Sequence, residues 1–156
     1  MKIRSLSFLL PVLAFFGGKH AAAQQGRTPP LAAYKGDTAK YVTEGFMNQK
    51  EKYVNQPLDI FLKDLGIPVR SYFRIINHKN RFQVRGVMLY FTDAASMHMS
   101  MMNNRKWEKS IQVAFVVPGA SDTTDQIYKK SDGAWLDGEA DYYGKLLIKD
   151  MRLITP

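Results

Sequence analysis

Apolar residues recur with the period of a helix in the first part of the chain and with the period of a strand further on. The clearest helical stripe has i, i+3, i+4, i+7 spacing and consists of Leu58, Phe61, Leu62 and Leu65. Pro57 suits the start of a helix and Gly66 suits its end, so we expect a short amphipathic helix between them. An earlier and less regular segment, capped by Asp37 or Thr38, predicts a helix that ends near Lys52.

Beyond these helices, apolar and polar residues alternate, which is typical of strands that bury one face. Residues 77–80, Asn-His-Lys-Asn, interrupt the alternation and predict the turn of a β-hairpin. The register that we expect places Ile75 opposite Phe82. It also brings Phe73 opposite Val84, so that the apolar side chains of both strands share one face.

Three further segments complete the predicted sheet. Gly86 is a candidate for a β-bulge, and residues 87–91 are apolar on both faces, as expected of a central strand. Residues 107–117 alternate up to Pro118 and predict another strand. Residues 145–154 predict the last strand.

Residues 126–136 are compatible with two structures. The pair Asp132-Gly133 is typical of a type I′ hairpin turn, which is the interpretation that we favour. Asp122, with Asp125 three residues later, instead has the spacing of a helix cap. The elements together predict an α+β fold, in which one or two N-terminal helices pack on a mostly antiparallel sheet of four to six strands.

The N-terminus has the three parts of a secretory signal peptide. Lys2 and Arg4 supply positive charge, residues 5–16 form an apolar run too short to span a bilayer, and the alanines at 21–23 offer a cleavage site. We therefore expect residues 1–23 to be a signal peptide and the product to be exported to a periplasm or to the exterior. An uncleaved anchor and a buried N-terminal helix are the alternatives.

Removal of this leader leaves 133 of the 156 residues, which is the size of one domain. Residues 24–37 are rich in Gly, Pro, Ala and Gln and predict a flexible lead-in, so that a single α+β domain spans residues 38–156. With 46% apolar and 23% charged residues, the composition is that of a globular protein, and no membrane span is predicted after the leader. The absence of cysteine excludes a disulfide framework and a lipid-modified cysteine.

The charge balance is basic, with 22 basic and 14 acidic residues, three of the basic ones in the leader. Export argues against nucleic acid as a partner of this surface. We expect the partner to be a protein or an anionic component of the cell envelope.

Five residues on the polar face of the predicted hairpin form a candidate binding patch. They are Arg70, Tyr72, Arg74, Arg81 and Arg85. Guanidinium groups beside an aromatic ring can hold a carboxylate, phosphate or sulfate through bidentate hydrogen bonds and stacking. A solvated face that protects an edge strand from aggregation is the alternative explanation.

A cluster of thioethers and one imidazole lies within residues 97–102. Its members are Met97, His98, Met99, Met101 and Met102. Thioether sulfur binds Cu(I), so a periplasmic copper-binding protein is one alternative function. The simpler explanation is that methionines fill an irregular gap in the core, and we predict no resident metal or other cofactor.

The sequence contains no catalytic motif that we can assign. Asp137, Glu139 and Asp141 have the spacing that opens a calcium loop, but Tyr142 stands where such a loop requires glycine. These carboxylates, with Asp132, leave a small envelope-directed hydrolase as a second alternative. The leading prediction is an exported binding or interaction module without catalytic residues.

Overall fold

The structure, a computed structural model, describes residues 30–104 and 109–155. The predicted signal peptide, residues 24–29 of the lead-in and Trp107 lie outside the described residues. The helices are α1 (Thr38–Gly45), α2 (Leu58–Leu65), α3 (Ala94–Asn104), α4 (Ser121–Ser131) and α5 (Asp137–Tyr143). The strands are β1 (Ser71–Asn77), β2 (Asn80–Tyr90), β3 (Ser110–Ala120) and β4 (Ile148–Ile154). Leu31–Tyr34 and Met47–Lys52 form short 3-10 helices.

Both predicted N-terminal helices are present, and the first one is broken. Asp37 caps α1 by accepting a hydrogen bond from the Lys40 N–H at 3.0 Å. The helix ends where Phe46 leaves the helical conformation, with φ −130°, and buries its ring in the core. The remainder of the predicted helix is the second 3-10 helix. Pro57 precedes α2, and Gly66 ends it with φ 63°, as the sequence predicts.

The described end of the lead-in contributes contacts to the domain. Leu31 and Tyr34 pack against the core, and the Tyr34 ring meets the Tyr41 ring edge-on at 5.4 Å between centroids.

The four strands form one antiparallel sheet in the order β1-β2-β3-β4. This arrangement confirms the predicted α+β fold, with the sheet at the lower end of the expected strand number. Residues 87–90 of the predicted segment 87–91 belong to β2, which has a neighbour on each side, as predicted from their two apolar faces.

The predicted register of the first hairpin is wrong, because the pairing of β1 with β2 shifts at two places. Ile75 lies opposite Gly86, whereas the next residue, Ile76, lies opposite Val84. Arg85 is therefore an extra residue on β2, at the position where the sequence suggests a bulge.

Asn77 lies opposite Asn80, whereas Ile76 lies opposite Val84, so residues 81–83 of β2 come between these two pairs. This shift by an odd number of residues reverses the predicted orientation of β1. Tyr72 lies opposite Leu89, and both side chains are fully buried in the main core. Phe73 points to the other face, where its ring lies 5.9 Å from that of His98 on α3. Alternation alone does not reveal this reversal, because helices cover both faces of this part of β1.

One face of the sheet, which we call the covered face, carries the main core under α1, α2 and α5. The strand residues buried there are Tyr72, Val87, Leu89, Ile111, Val113, Phe115, Ile148 and Met151. The helical side is largely aromatic, and Phe61 meets Phe46 and Tyr53 edge-on at 5.7 and 5.3 Å between ring centroids.

The covered face also buries one carboxylate, that of Glu139 on α5. Its oxygens accept hydrogen bonds from the Leu136 N–H at 3.0 Å and from the Tyr72 hydroxyl at 3.3 Å. Burial raises the pKa of Tyr72 and of Tyr143 well above the usual range, so both phenols stay protonated. The buried Tyr143 hydroxyl forms no hydrogen bond with the described residues.

The predicted hairpin at Asp132-Gly133 is wrong, because α4 occupies the preceding residues. Asp132 and Gly133 do adopt left-handed conformations, with φ 50° and 81°, but they end the helix. The Asp132 N–H donates to the Tyr128 carbonyl at 2.9 Å. A left-handed pair suits a helix end as well as a type I′ turn, so the dipeptide alone does not distinguish them.

The opposite face is covered near the start of β1 by α3, which Asp93 caps through the Ser96 N–H at 2.9 Å. Met97 is fully buried there, with its sulfur 3.7 Å from the Ser71 hydroxyl. Toward Gly86 the described residues leave this face exposed to solvent, and we call this part the open face.

Candidate functional site

The open face contains a cavity of about 370 Å³, to which all four strands contribute. We call it the basic groove. Its polar side chains are Arg85, Gln112, Lys149, Asp150 and Arg152, and its apolar lining includes Ile75, Ala114 and Pro118.

Irregularities on three strands border this groove. On β4, Ala114 lies opposite Asp150 and Phe115 lies opposite Ile148, so Lys149 is an extra residue. Val84 lies opposite Gly119, and Gly86 lies opposite Ala114. Residues 115–118 of β3 therefore do not pair with β2, where Arg85 is the one residue between these two pairs. The projecting segment closes one side of the cavity. The bulge on β2 closes another side and places both Arg85 and Gly86 in the lining.

Gly86 is required by the close approach of β2 and β3. A Cβ atom at this position would lie 2.3 Å from the Val113 carbonyl oxygen and 3.2 Å from the Ala114 Cα. The absence of a side chain lets the two strands meet and leaves space above Ala114 for a ligand.

Some charged side chains of the groove already have partners within the fold. Asp150 pairs with Lys50, whose Nζ lies 2.5 Å from its Oδ1, and this hydrogen bond lowers the pKa of the Asp150 carboxyl below its usual value. Arg152 donates from Nε to the Gln112 Oε1 at 2.8 Å, which leaves its terminal nitrogens available.

Arg85 and Lys149 are the free cations of the groove. Within residues 30–104 and 109–155, neither side chain forms an ion pair or a hydrogen bond. Both are exposed. A carboxylate, phosphate or sulfate could therefore accept hydrogen bonds from them without displacing an internal partner.

The lining of the groove is suited to binding a ligand. Its lining residues include no serine, cysteine or histidine. Ile75, Ala114 and Pro118 add apolar contact surface beside the cations. A ligand that combines an acidic group with an apolar part matches this lining best.

The structure does not assemble the five residues of the predicted patch. Tyr72 is in the core and not at the surface, which corrects the prediction. Arg70 is exposed just before β1, while Arg74 and Arg81 line a separate cavity near the hairpin tip. Arg85 is the member that lies in the basic groove. The patch divides because the bulge turns Arg85 to the face opposite Arg74.

Arg74 is partly buried and already has partners. It forms an ion pair with Asp125, and its guanidinium lies over the Tyr128 ring at 4.7 Å. Only 16% of its side chain is exposed. We therefore assign Arg74 a role in attaching α4 to the sheet.

Sequence reasoning missed Lys149 and Arg152 as groove residues. Both belong to β4, which is far from the hairpin in sequence and reaches the groove by pairing with β3. The available signal was the alternation of Asp150 and Arg152, which predicts that they share one face of the last strand.

The thioether cluster is divided by the orientation of α3. Met97 is buried, whereas Met99 and Met102 are 57% and 79% exposed. His98 is half-buried against Phe73, and the side chain of Met101 lies outside the described part of the chain. Copper binding stays a prediction, and a copper site here would be formed by the exposed thioethers and not by Met97.

The acidic cluster is also divided. Glu139 is buried and holds the start of α5, whereas Asp132, Asp137 and Asp141 are exposed. In the described ranges, no group of three His, Asp or Glu side chains is arranged to hold a metal ion. A hydrolytic role for these carboxylates stays a prediction.

No protein-family model matches the chain, and no curated protein or solved structure gives a significant match. None of the helices in the described ranges has the length and apolar character needed to cross a membrane.

Proposed function

We propose that this chain is an exported binding module that holds an acidic group of its partner in the basic groove. The observation that carries the proposal is the pair of free cations, Arg85 and Lys149, that lines one cavity with Arg152. The cavity's own carboxylate, Asp150, is engaged by Lys50. An acidic ligand would relieve the repulsion among the like charges and would form charge-assisted hydrogen bonds.

The sequence supports export through the signal-peptide pattern of residues 1–23. In a periplasm or outside the cell, acidic groups are offered by proteins and by anionic envelope components. The recognised feature is the same in both cases, an anionic group next to an apolar surface, because the cations lie beside Ile75 and Pro118.

Binding to poly-L-glutamate at low ionic strength tests this function. The double variant Arg85→Ala/Lys149→Ala removes both free cations and should weaken binding by about tenfold or more, since a hydrogen bond to a charged group contributes roughly 1.5–3 kcal/mol. Both residues are exposed, so the circular dichroism spectrum and the midpoint of urea unfolding should stay close to those of the parent.

The matched control is Lys129→Ala/Lys130→Ala, which removes the same charge from exposed positions at the end of α4. It should retain the affinity of the parent to within about twofold, apart from the long-range effect of net charge. Equal losses in the two double variants would contradict a site in the groove and indicate an effect of overall charge.

A further inference from the structure

We propose a Cu(I)-binding site on the exposed side of α3, formed by the thioethers of Met99 and Met102 and by the imidazole of His98. None of these residues lines the basic groove, so the site is independent of the function proposed above. The way in which α3 packs on the sheet decides which members of the cluster at residues 97–102 are accessible to a metal ion.

Met99 and Met102 do not fill a gap in the core. Both side chains are largely exposed, whereas Met97 of the same helix is fully buried. Core filling therefore explains Met97 and leaves the other two methionines unexplained. An exposed thioether adds little packing to the fold, but its sulfur stays accessible to a soft metal ion.

The helical spacing brings the three ligands to one part of the helix surface. Met102 follows Met99 by three positions and His98 by four, and residues at both spacings are neighbours, with about 5–6 Å between their Cβ atoms. Because side chains on a helix lean toward its N-terminus, we expect the Met102 thioether to extend over the turn that carries His98 and Met99. Methionine has three rotatable bonds, which let both sulfurs approach a shared ion.

His98 provides the ligand whose ring is held in place. It is half-buried between α3 and β1, where its ring packs against that of Phe73 at 5.9 Å between centroids. Its ring nitrogens form no hydrogen bond with any residue that the structure describes. The imidazole can therefore bind copper without giving up an internal partner.

The chemistry of the three ligands favours Cu(I) over divalent ions. Thioethers are soft ligands, imidazole also suits copper, and α3 contains no aspartate or glutamate. Ca²⁺ and Mg²⁺ require oxygen ligands, and protein Zn²⁺ sites use thiolate, imidazole or carboxylate, so these ions would gain little here. Because the ligands lie at the surface, a bound ion could exchange, which suits transient copper binding more than a resident cofactor.

NMR titration of the full chain with Cu(I), stabilised by acetonitrile and kept free of oxygen, is the direct test. With ¹³C in the methionine methyl groups, the signals of Met99 and Met102 should shift until one equivalent of Cu(I) has been added. The ring signals of His98 should shift over the same range. The methyl signal of the buried Met97 should stay close to its initial position.

Two variants remove the ligands with little change of shape. Met99→Leu/Met102→Leu keeps volume and helix propensity, so the variant should fold like the parent. Its Cu(I) affinity should fall by about a hundredfold or more, because even a partner that only orients a metal ligand typically contributes about 10–100-fold. His98→Phe retains a ring against Phe73 and should weaken binding by about tenfold or more.

Met97→Leu is the matched control, since it removes a buried thioether from the same helix and should leave Cu(I) binding close to that of the parent. Arg85→Ala/Lys149→Ala should also bind Cu(I) like the parent, which separates a failure of this site from a failure of the basic groove. The proposal is wrong if the parent shows no methyl shifts. It is also wrong if either ligand variant binds Cu(I) like the parent, or if Met97→Leu loses as much affinity as Met99→Leu/Met102→Leu.

Discussion

The two faces of the sheet are made by the same strands, yet neighbouring residues on them have opposite roles. On the covered face, Val87 and Val113 lie opposite one another and are fully buried. One residue away, Gly86 and Ala114 lie opposite one another at the base of the basic groove. The covered face stabilises the fold by burying apolar area, whereas the open face uses small residues to leave space.

The faces also differ in how they treat charge. The covered face buries Glu139 and provides it with two hydrogen-bond donors, because an unpaired buried carboxylate would be strongly destabilising. The open face keeps Arg85 and Lys149 without partners among the described residues. The hydrogen bonds of Glu139 give it a structural role, whereas the free cations are the basis of the binding function that we propose for the groove.

The largest expected effect concerns Gly86, where the two faces meet at the bulge. Gly86→Ala places a methyl group against the Val113 carbonyl oxygen, and we expect it to reduce the free energy of unfolding by about 1–3 kcal/mol. It should also weaken poly-L-glutamate binding, because relief of the clash would move β2 and Arg85. Urea unfolding and the binding titration measure the two effects.

Gly138→Ala is the matched control for this substitution. Gly138 lies in α5, a Cβ there meets nothing within 4 Å, and its φ is not positive. Alanine should therefore keep or raise stability, by up to about 1 kcal/mol. An unchanged stability for Gly86→Ala would show that the strands are further apart than described.

The comparison also explains which parts of the fold could be predicted. The stripe of α2, its end at Gly66 and the central strand predicted at residues 87–91 each follow from a local pattern. All three are confirmed, with the strand ending at Tyr90. The register of the first hairpin could not be obtained in this way. Both Tyr72 and Phe73 are apolar enough to be buried, so alternation does not say which of them faces the main core.

The candidate site was less accessible to sequence reasoning than the fold. Arg85 was identified, but its neighbours Lys149 and Arg152 come from a strand more than sixty positions later. Only the pairing of β3 with β4 brings them together. Alternation along β4 predicts that Asp150 and Arg152 share a face, but it does not say which strand lies beside them.

A smaller effect is expected from two tyrosines of the covered face. Tyr72→Phe removes the hydroxyl that donates to Glu139 and should cost about 1 kcal/mol of unfolding free energy. Tyr143→Phe removes a buried hydroxyl that has no partner among the described residues, so stability should stay equal or rise by up to about 1 kcal/mol. Equal destabilisation by both variants in urea unfolding would contradict this assignment of the hydroxyls.

The smallest expected effect concerns Asp150 and the pH dependence of stability. Its pKa is lowered in the folded chain by the Lys50 hydrogen bond, so it stabilises the fold above the unfolded pKa of about 3.9. This stabilisation is lost as the pH falls through the pKa that Asp150 has in the folded chain. Between about pH 6 and about pH 2.5, we expect the Asp150→Asn variant to lose slightly less stability than the parent, because it lacks this titrating pair. The difference is small because Asp150 is half exposed. Asp141→Asn, which alters an exposed carboxylate without an ion pair to any described residue, is the control, and both are measured by urea midpoints. If stability depends on pH in the same way in the two variants, the Lys50–Asp150 pair contributes nothing to the free energy of unfolding.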